Sequence, residues 1–163
     1  MLQLIPTAPD MENLGGRLAQ ACPNTPCTLY LQGSLGSGKT TLVRGFLRTL
    51  GYTGPVKSPT YTLIEPYTLP DRRTYHLDLY RLHEPEELEY LGLRDYLTEN
   101  AICLIEWPEQ GITYLPPADL QIQLSYHQEQ RLVKIQAHTS IGQQLLQNLK
   151  LHYAEVQNEV LNN

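Results

Sequence analysis

The sequence predicts an α/β domain of three layers, in which a mainly parallel β-sheet lies between helices and is extended by an antiparallel hairpin near the C-terminus. Three observations carry this expectation. The run Ile102 to Ile105 is apolar at every position, as suits a parallel strand buried on both faces. The stretch from Thr28 to Leu50 reads as a strand, a glycine-rich loop and a helix in direct succession. Leu120, Ile122 and Leu124, and then Val133, Ile135 and Ala137, alternate with polar residues around a turn at 127–130, which is the pattern of a hairpin with one wet face.

Taken in order, Met11, Leu14, Leu18 and Ala21 recur at helical spacing behind Thr7, Pro9 and Asp10, so a capped amphipathic helix is expected over about residues 8–21. Residues 28–32 form the first predicted strand, and residues 39–50 a helix that Gly51 ends. Tyr61 to Glu65 and Thr74 to Leu79 are strand-like, with Pro70-Asp71 as the turn between them. Residues 84–91 begin with Pro and acids and predict a helix that Gly92 breaks, and residues 94–97 add a helical turn. Ile141, Leu145, Leu149, Tyr153 and Val156 mark a last helix, followed by a six-residue tail expected to fray.

The 163 residues suit a single domain spanning 1–163. With 41% hydrophobic and 18% charged residues, the chain is composed like a folded globular protein. A formal net charge of -5, without a basic run longer than Arg72-Arg73, gives no footprint for stable direct nucleic-acid binding. Three cysteines without paired CxxC spacing argue against a disulfide framework or a zinc site and point to a reducing compartment. The opening Met-Leu-Gln-Leu-Ile-Pro lacks a signal-peptide pattern and no segment has membrane-spanning length, so a cytoplasmic location without membrane contact is expected.

The glycine loop carries the chemistry. Gly33, Ser34, Leu35, Gly36, Ser37, Gly38, Lys39 and Thr40 fit G-x-x-x-x-G-K-[ST] in the required context of a strand before and a helix after. Glycines let backbone N–H groups curl around phosphate oxygens, and the helix N-terminus adds partial positive charge on the same side. Lys39 then reaches the β and γ phosphates, Thr40 offers its hydroxyl to Mg2+, and Thr41 is placed to contact the α phosphate. The expected fold is accordingly that of a P-loop NTPase.

Such a site also needs an acid at the end of a neighbouring strand, and two strand ends qualify, at Asp78 and at Glu106. Taken alone, Asp78 also fits a polar residue on a half-exposed strand, Glu106 a cap, and Trp107 a core aromatic. The glycine loop tilts both acids toward the metal, and the neighbouring acid tilts Trp107 toward a lid or an interface.

Together these stretches resemble the TsaE family, formerly YjeE, the ATPase component of bacterial tRNA threonylcarbamoyladenosine synthesis. The resemblance rests on the loop 33–42, Ser58-Pro-Thr-Tyr-Thr-Leu63, Tyr75-His-Leu-Asp-Leu-Tyr-Arg81, Leu91-Gly-Leu93 and Ile105-Glu-Trp-Pro-Glu109. It implies ATP and Mg2+ as cofactors, with Lys39, Asp78 and Glu106 as catalytic residues and Thr40, Asp78 and Glu106 around the metal. It also implies Thr60 on a switch-like loop near the γ phosphate and Trp107 near the nucleotide. The implied partner is the TsaB–TsaD complex, which hydrolysis resets between cycles and through which any tRNA contact is indirect. The chain departs from the family at Ser34, where members usually carry an acid: a serine can still hydrogen-bond but supplies no charge.

Other readings of the same loop are a small-molecule kinase, a GTPase switch, and a module that holds nucleotide without cleaving it. A kinase would be expected to bring an Arg-rich lid, and a GTPase an N-K-x-D motif; the sequence shows neither. Arg81 suits either an arginine finger in cis or a structural ion pair.

Overall fold

The computed structural model describes residues 1–98 and 101–161. A seven-stranded sheet runs through it in the order β1-β7-β6-β2-β5-β4-β3. Its strands are β1 (Leu2–Ile5), β2 (Cys27–Gln32), β3 (Ile64–Thr68), β4 (Arg73–Asp78), β5 (Ala101–Glu106), β6 (Leu120–His127) and β7 (Gln130–Ala137). Strands β4, β5, β2 and β6 are mutually parallel and form the centre. Antiparallel strands flank them on both sides, β3 against β4 and the β6–β7 hairpin extended by β1. The parallel core and the hairpin are as the sequence predicts, and the structural likeness reported below agrees with the P-loop architecture.

Helices α1 (Ala8–Ala21), α2 (Lys39–Thr49) and α5 (Ser140–Leu161) cover one face of the sheet, and the short helices α3 (Glu87–Tyr90) and α4 (Leu93–Thr98) lie toward the other. Each face has its own apolar core. Leu29, Leu31, Ile102 and Leu104 point to the α1/α2 side, whereas Tyr30, Cys103 and Ile105 point to the opposite side with Leu88 and Leu93. This alternation is the period-2 consequence of a strand buried on both faces. All six residues of β5 are buried, as the apolar run predicts.

Helix α1 begins with a capping box in which Thr7 Oγ1 accepts from Asp10 N–H while the Asp10 carboxylate accepts from Thr7. It packs closely on α2 because Gly45 has no side chain: a Cβ there would lie 1.9 Å from the Glu12 carbonyl oxygen. Arg44 and Arg48 then reach the Glu12 carboxylate at 3.2 and 2.6 Å and bridge the two helices. The three cysteines are buried and free. The Cys27 thiol beside it, together with burial, holds Cys22 well above the usual thiol range, and burial pushes Cys103 up to about 12.

Several boundaries differ from expectation. Strand β1 was not foreseen: it has four residues, pairs only with β7, and leaves Leu2 and Leu4 exposed, so it lacks the apolar pattern of a core strand. The strand expected at 61–65 starts instead at Ile64. The Leu63 N–H donates to the Pro59 carbonyl at 2.7 Å and Leu63 adopts φ 64°, so residues 59–63 form a turn. The helix expected over 84–91 is α-helical only from Glu87 to Tyr90, because residues 84–86 make i→i+3 turn bonds. Helix α5 continues to Leu161, so residues 158–161 of the tail expected to fray are helical; residues 162 and 163 and the side chains of Tyr153 and Val156 lie outside the described residues.

Candidate functional site

The parallel register brings the carboxyl ends of β2, β4 and β5 to one edge, with Leu31 and Asp78 both paired to Glu106. Ligands in open α/β sheets bind at such an edge. Main-chain bonds lock the ends together, since Leu79 N–H donates to the Glu106 carbonyl at 3.1 Å and Trp107 N–H to the Leu31 carbonyl at 3.2 Å. A pocket of about 270 Å³ opens there, lined by loop residues Leu35, Gly36 and Gly38, by Lys39, Thr40 and Thr41, and across from them by Ser58, Thr60, Asp78, Tyr80, Glu106 and Trp107.

The glycine loop enters helix α2 with Gly38 at φ 107°, where any other residue would be strained. Gly33 has φ 145°, and a Cβ there would stand 2.3 Å from the Leu124 carbonyl oxygen, so no side chain fits between loop and hairpin. The N-terminus of the 11-residue helix α2 carries no side-chain cap and no acid in its first turn. Its N–H groups and positive dipole end are left for an anion.

Lys39 is only 4% exposed. Its Nζ donates to the Gly33 and Ser34 carbonyls at 2.7 and 3.1 Å and lies 4.1 Å from the centre of the Trp107 ring. Burial lowers the Lys39 ammonium from its ordinary 10.5, partly opposed by the charges of Glu106, Asp78 and Glu109. Desolvated in this way, the ammonium gains strongly from a phosphate.

Thr40 Oγ1 donates to Glu106 Oε1 at 2.9 Å. Asp78 Oδ2 accepts from Thr60 Oγ1 at 2.9 Å and from the Ser58 hydroxyl, while Asp78 Oδ1 accepts from Tyr80 N–H at 3.0 Å. Two carboxylates and three hydroxyls therefore converge on the loop. Among the described residues there is no group of three or more His, Cys, Asp or Glu able to hold a metal by themselves. The carboxylate and hydroxyl oxygens that are present suit Mg2+, which takes hard oxygen donors, retains several waters and shares the oxygens of a bound phosphate. The residues fit both a triphosphate and its metal.

Trp107 sits at φ 56°, a left-handed conformation that costs about 1–2 kcal/mol for a residue with a side chain. Such strain clusters at functional sites. It turns the indole to its place beside Lys39 and against Tyr80, whose ring centre is 5.0 Å away.

The predicted residues thus gather as follows. Lys39, Thr40, Thr41, Thr60, Asp78, Glu106 and Trp107 share the pocket, along with Leu35, Gly36 and Gly38. Gly33 and Ser34 turn their carbonyls to Lys39, whereas Ser37 is fully buried and lines the opposite side of the loop. Arg81 stacks 4.6 Å from the Tyr61 ring centre, in a cation–π contact that neither reading of it anticipated. Sequence reasoning left Ser58, Tyr80 and His76 without a role. Their signal was proximity: all three lie in the two short stretches that contain Thr60 and Asp78.

Comparison with known proteins bears on the family and the fold of the chain. The family model described as threonylcarbamoyl adenosine biosynthesis protein TsaE matches residues 5–134. A tRNA threonylcarbamoyladenosine biosynthesis protein TsaE from Haemophilus influenzae is 49% identical over 118 residues, which cover 72% of this chain and 75% of that protein. The protein of the same name from Bacillus subtilis is 44% identical over 94 residues, 58% of each chain. The crystal structure of YdiB from Bacillus subtilis is similar with a TM-score of 0.80 at 28% identity, covering 93% of this chain and 95% of that one.

Proposed function

The chain belongs to the TsaE family of threonylcarbamoyl adenosine biosynthesis proteins, and from that premise we propose that it is the Mg2+-dependent ATPase of the tRNA threonylcarbamoyladenosine machinery. In this reading it acts in the cytoplasm on a TsaB–TsaD complex, resets that complex between cycles, and meets tRNA only through those partners. The observation that best supports it is the uncapped N-terminus of α2, with Lys39 and Thr40, facing Asp78 and Glu106 across one pocket.

Each residue has a distinct task. The loop N–H groups and the helix dipole bind the phosphates, and Lys39 moves from the Gly33 and Ser34 carbonyls to the β and γ phosphates. Thr40, Asp78 and Glu106 would hold Mg2+ and its water shell. Bound Mg2+ supplies positive charge that offsets the charge developing on the phosphoryl oxygens. Glu106 orients the attacking water and takes its proton. Thr60, tied to Asp78, senses the γ phosphate, and the Trp107 indole covers the nucleotide and keeps bulk water away.

An arginine supplied by a partner is worth about 10^3–10^5 in rate, and Arg81 is engaged with Tyr61, so the chain alone should hydrolyse ATP slowly. With the TsaB–TsaD pair present, steady-state turnover is expected to rise at least ~10-fold. Equal rates with and without the pair would defeat the partner-dependent reading. Ser34, in place of an acid, favours a second reading in which nucleotide is held and not cleaved; single-turnover hydrolysis in the presence of the pair excludes it.

A further inference from the structure

His76 lies on β4, two residues before Asp78 and on the same face, paired in register with Leu104 of β5. Its side chain is fully buried. Its Nε2 lies 2.8 Å from Glu106 Oε1, the same oxygen that accepts from Thr40 Oγ1. Its Nδ1 has no protein partner. A carboxylate only accepts, so Nε2 is the donor in this pair. Leaving Nδ1 as an unpartnered acceptor is the milder of the two possible losses, because buried orphan acceptors are better tolerated than orphan donors. An apolar side chain of similar size would avoid that loss altogether. The fold therefore bears a cost at His76, and its visible return is the bond to Glu106.

Resting on the reading of Glu106 as an acid of the metal shell, we propose that His76 is a positioning residue that fixes the Glu106 carboxylate from the sheet side. Two forces would otherwise turn that carboxylate. Lys39, whose ammonium is electrostatically coupled to Glu106, attracts it across the pocket. The Thr40 hydroxyl, its other holder, weakens its grip once its oxygen turns to the metal. The Nε2–H of His76 needs no rearrangement when metal and nucleotide arrive, since it approaches from the buried face. It keeps Oε1 occupied and leaves Oε2 for the metal's water shell.

The test compares His76→Leu, which removes the donor, with His76→Gln, whose amide nitrogen can take the place of Nε2. Mn2+ binding in the presence of saturating ATP, followed by electron paramagnetic resonance, is the first readout, and ATP binding without metal is the second. Loss of such an outer-shell partner typically costs about 10- to 100-fold in metal affinity. His76→Leu is expected to lose Mn2+ affinity on that scale with metal-free ATP binding unchanged, and His76→Gln to recover most of it. A folded Leu variant with wild-type Mn2+ affinity overturns the proposal, as does a folded Gln variant no better than Leu. Should the Leu variant not fold, the Gln variant is set against His76→Asn, whose shorter amide cannot reach Glu106; equal affinities for the two overturn it. A wild-type chain without metal-dependent ATP binding overturns instead the reading of Glu106, and this inference with it.

Discussion

Replacing Lys39 with Ala should lower ATP hydrolysis by about 10^2- to 10^3-fold, the usual cost of removing one preorganised charge contact from a phosphoryl or oxyanion site. Lys39 is largely buried and its ammonium already spends hydrogen bonds on two loop carbonyls, so binding exchanges those carbonyls for phosphate oxygens. Little solvation is lost at that moment, and the electrostatic gain is accordingly large. The substitution removes a donor from Gly33 and Ser34 but leaves the strands beneath intact, so the thermal transition should move by only a few degrees. Single-turnover hydrolysis with the TsaB–TsaD pair, beside a melting curve, checks both parts. A variant within about threefold of wild type would remove Lys39 from the mechanism.

Glu106→Gln should separate binding from cleavage. The amide has nearly the shape of the carboxylate, and its oxygen can still accept from Thr40 and His76, so the local packing survives. What it lacks is negative charge and the ability to take a proton. A positioned general base contributes typically about 10^2–10^4 in rate, and hydrolysis should fall by that factor. Affinity for ATP without metal should hold or increase, because one buried negative charge near the phosphates is gone. Equilibrium dialysis of ATP against the same variant used for the rate measurement reads both quantities. Hydrolysis near the wild-type rate would assign the proton to another group, with Asp78 the first candidate.

Much of this site was readable before any coordinates, and the reason lies in the residue types it requires. Few chemistries other than phosphate binding demand a lysine and a threonine at the start of a helix behind a glycine-rich turn, so Lys39 and Thr40 declare themselves. Asp78 and Glu106 follow from a rule of topology: acids at the ends of adjacent parallel strands share an edge. The role of His76 is different. Period-2 alternation puts it on the face of Asp78, but only the register of β4 against β5 brings it to Glu106, and registry between strands separated by more than twenty residues is not written in either one. Strand β1 was hidden for a related reason, since an edge strand with exposed leucines acquires its pattern from its partner β7. At Leu63 a locally extended pattern gave way to a turn, which lets the Leu63 carbonyl accept from Asp78 N–H at 3.1 Å and sets the Ser58–Thr60 segment against the Asp78 carboxylate.

The claim on which everything else depends is that ATP and Mg2+ occupy the pocket between the glycine loop and the ends of β4 and β5. Trp107 reports on it directly, being the chain's only tryptophan, 4.1 Å from Lys39 and part of the pocket wall. Lys39 cannot turn to a phosphate without changing the field at the indole. Titration with ATP should give a saturable change in Trp107 fluorescence whose midpoint shifts to lower ATP concentration when Mg2+ is present. Fluorescence that stays constant through millimolar ATP and Mg2+ would contradict the account.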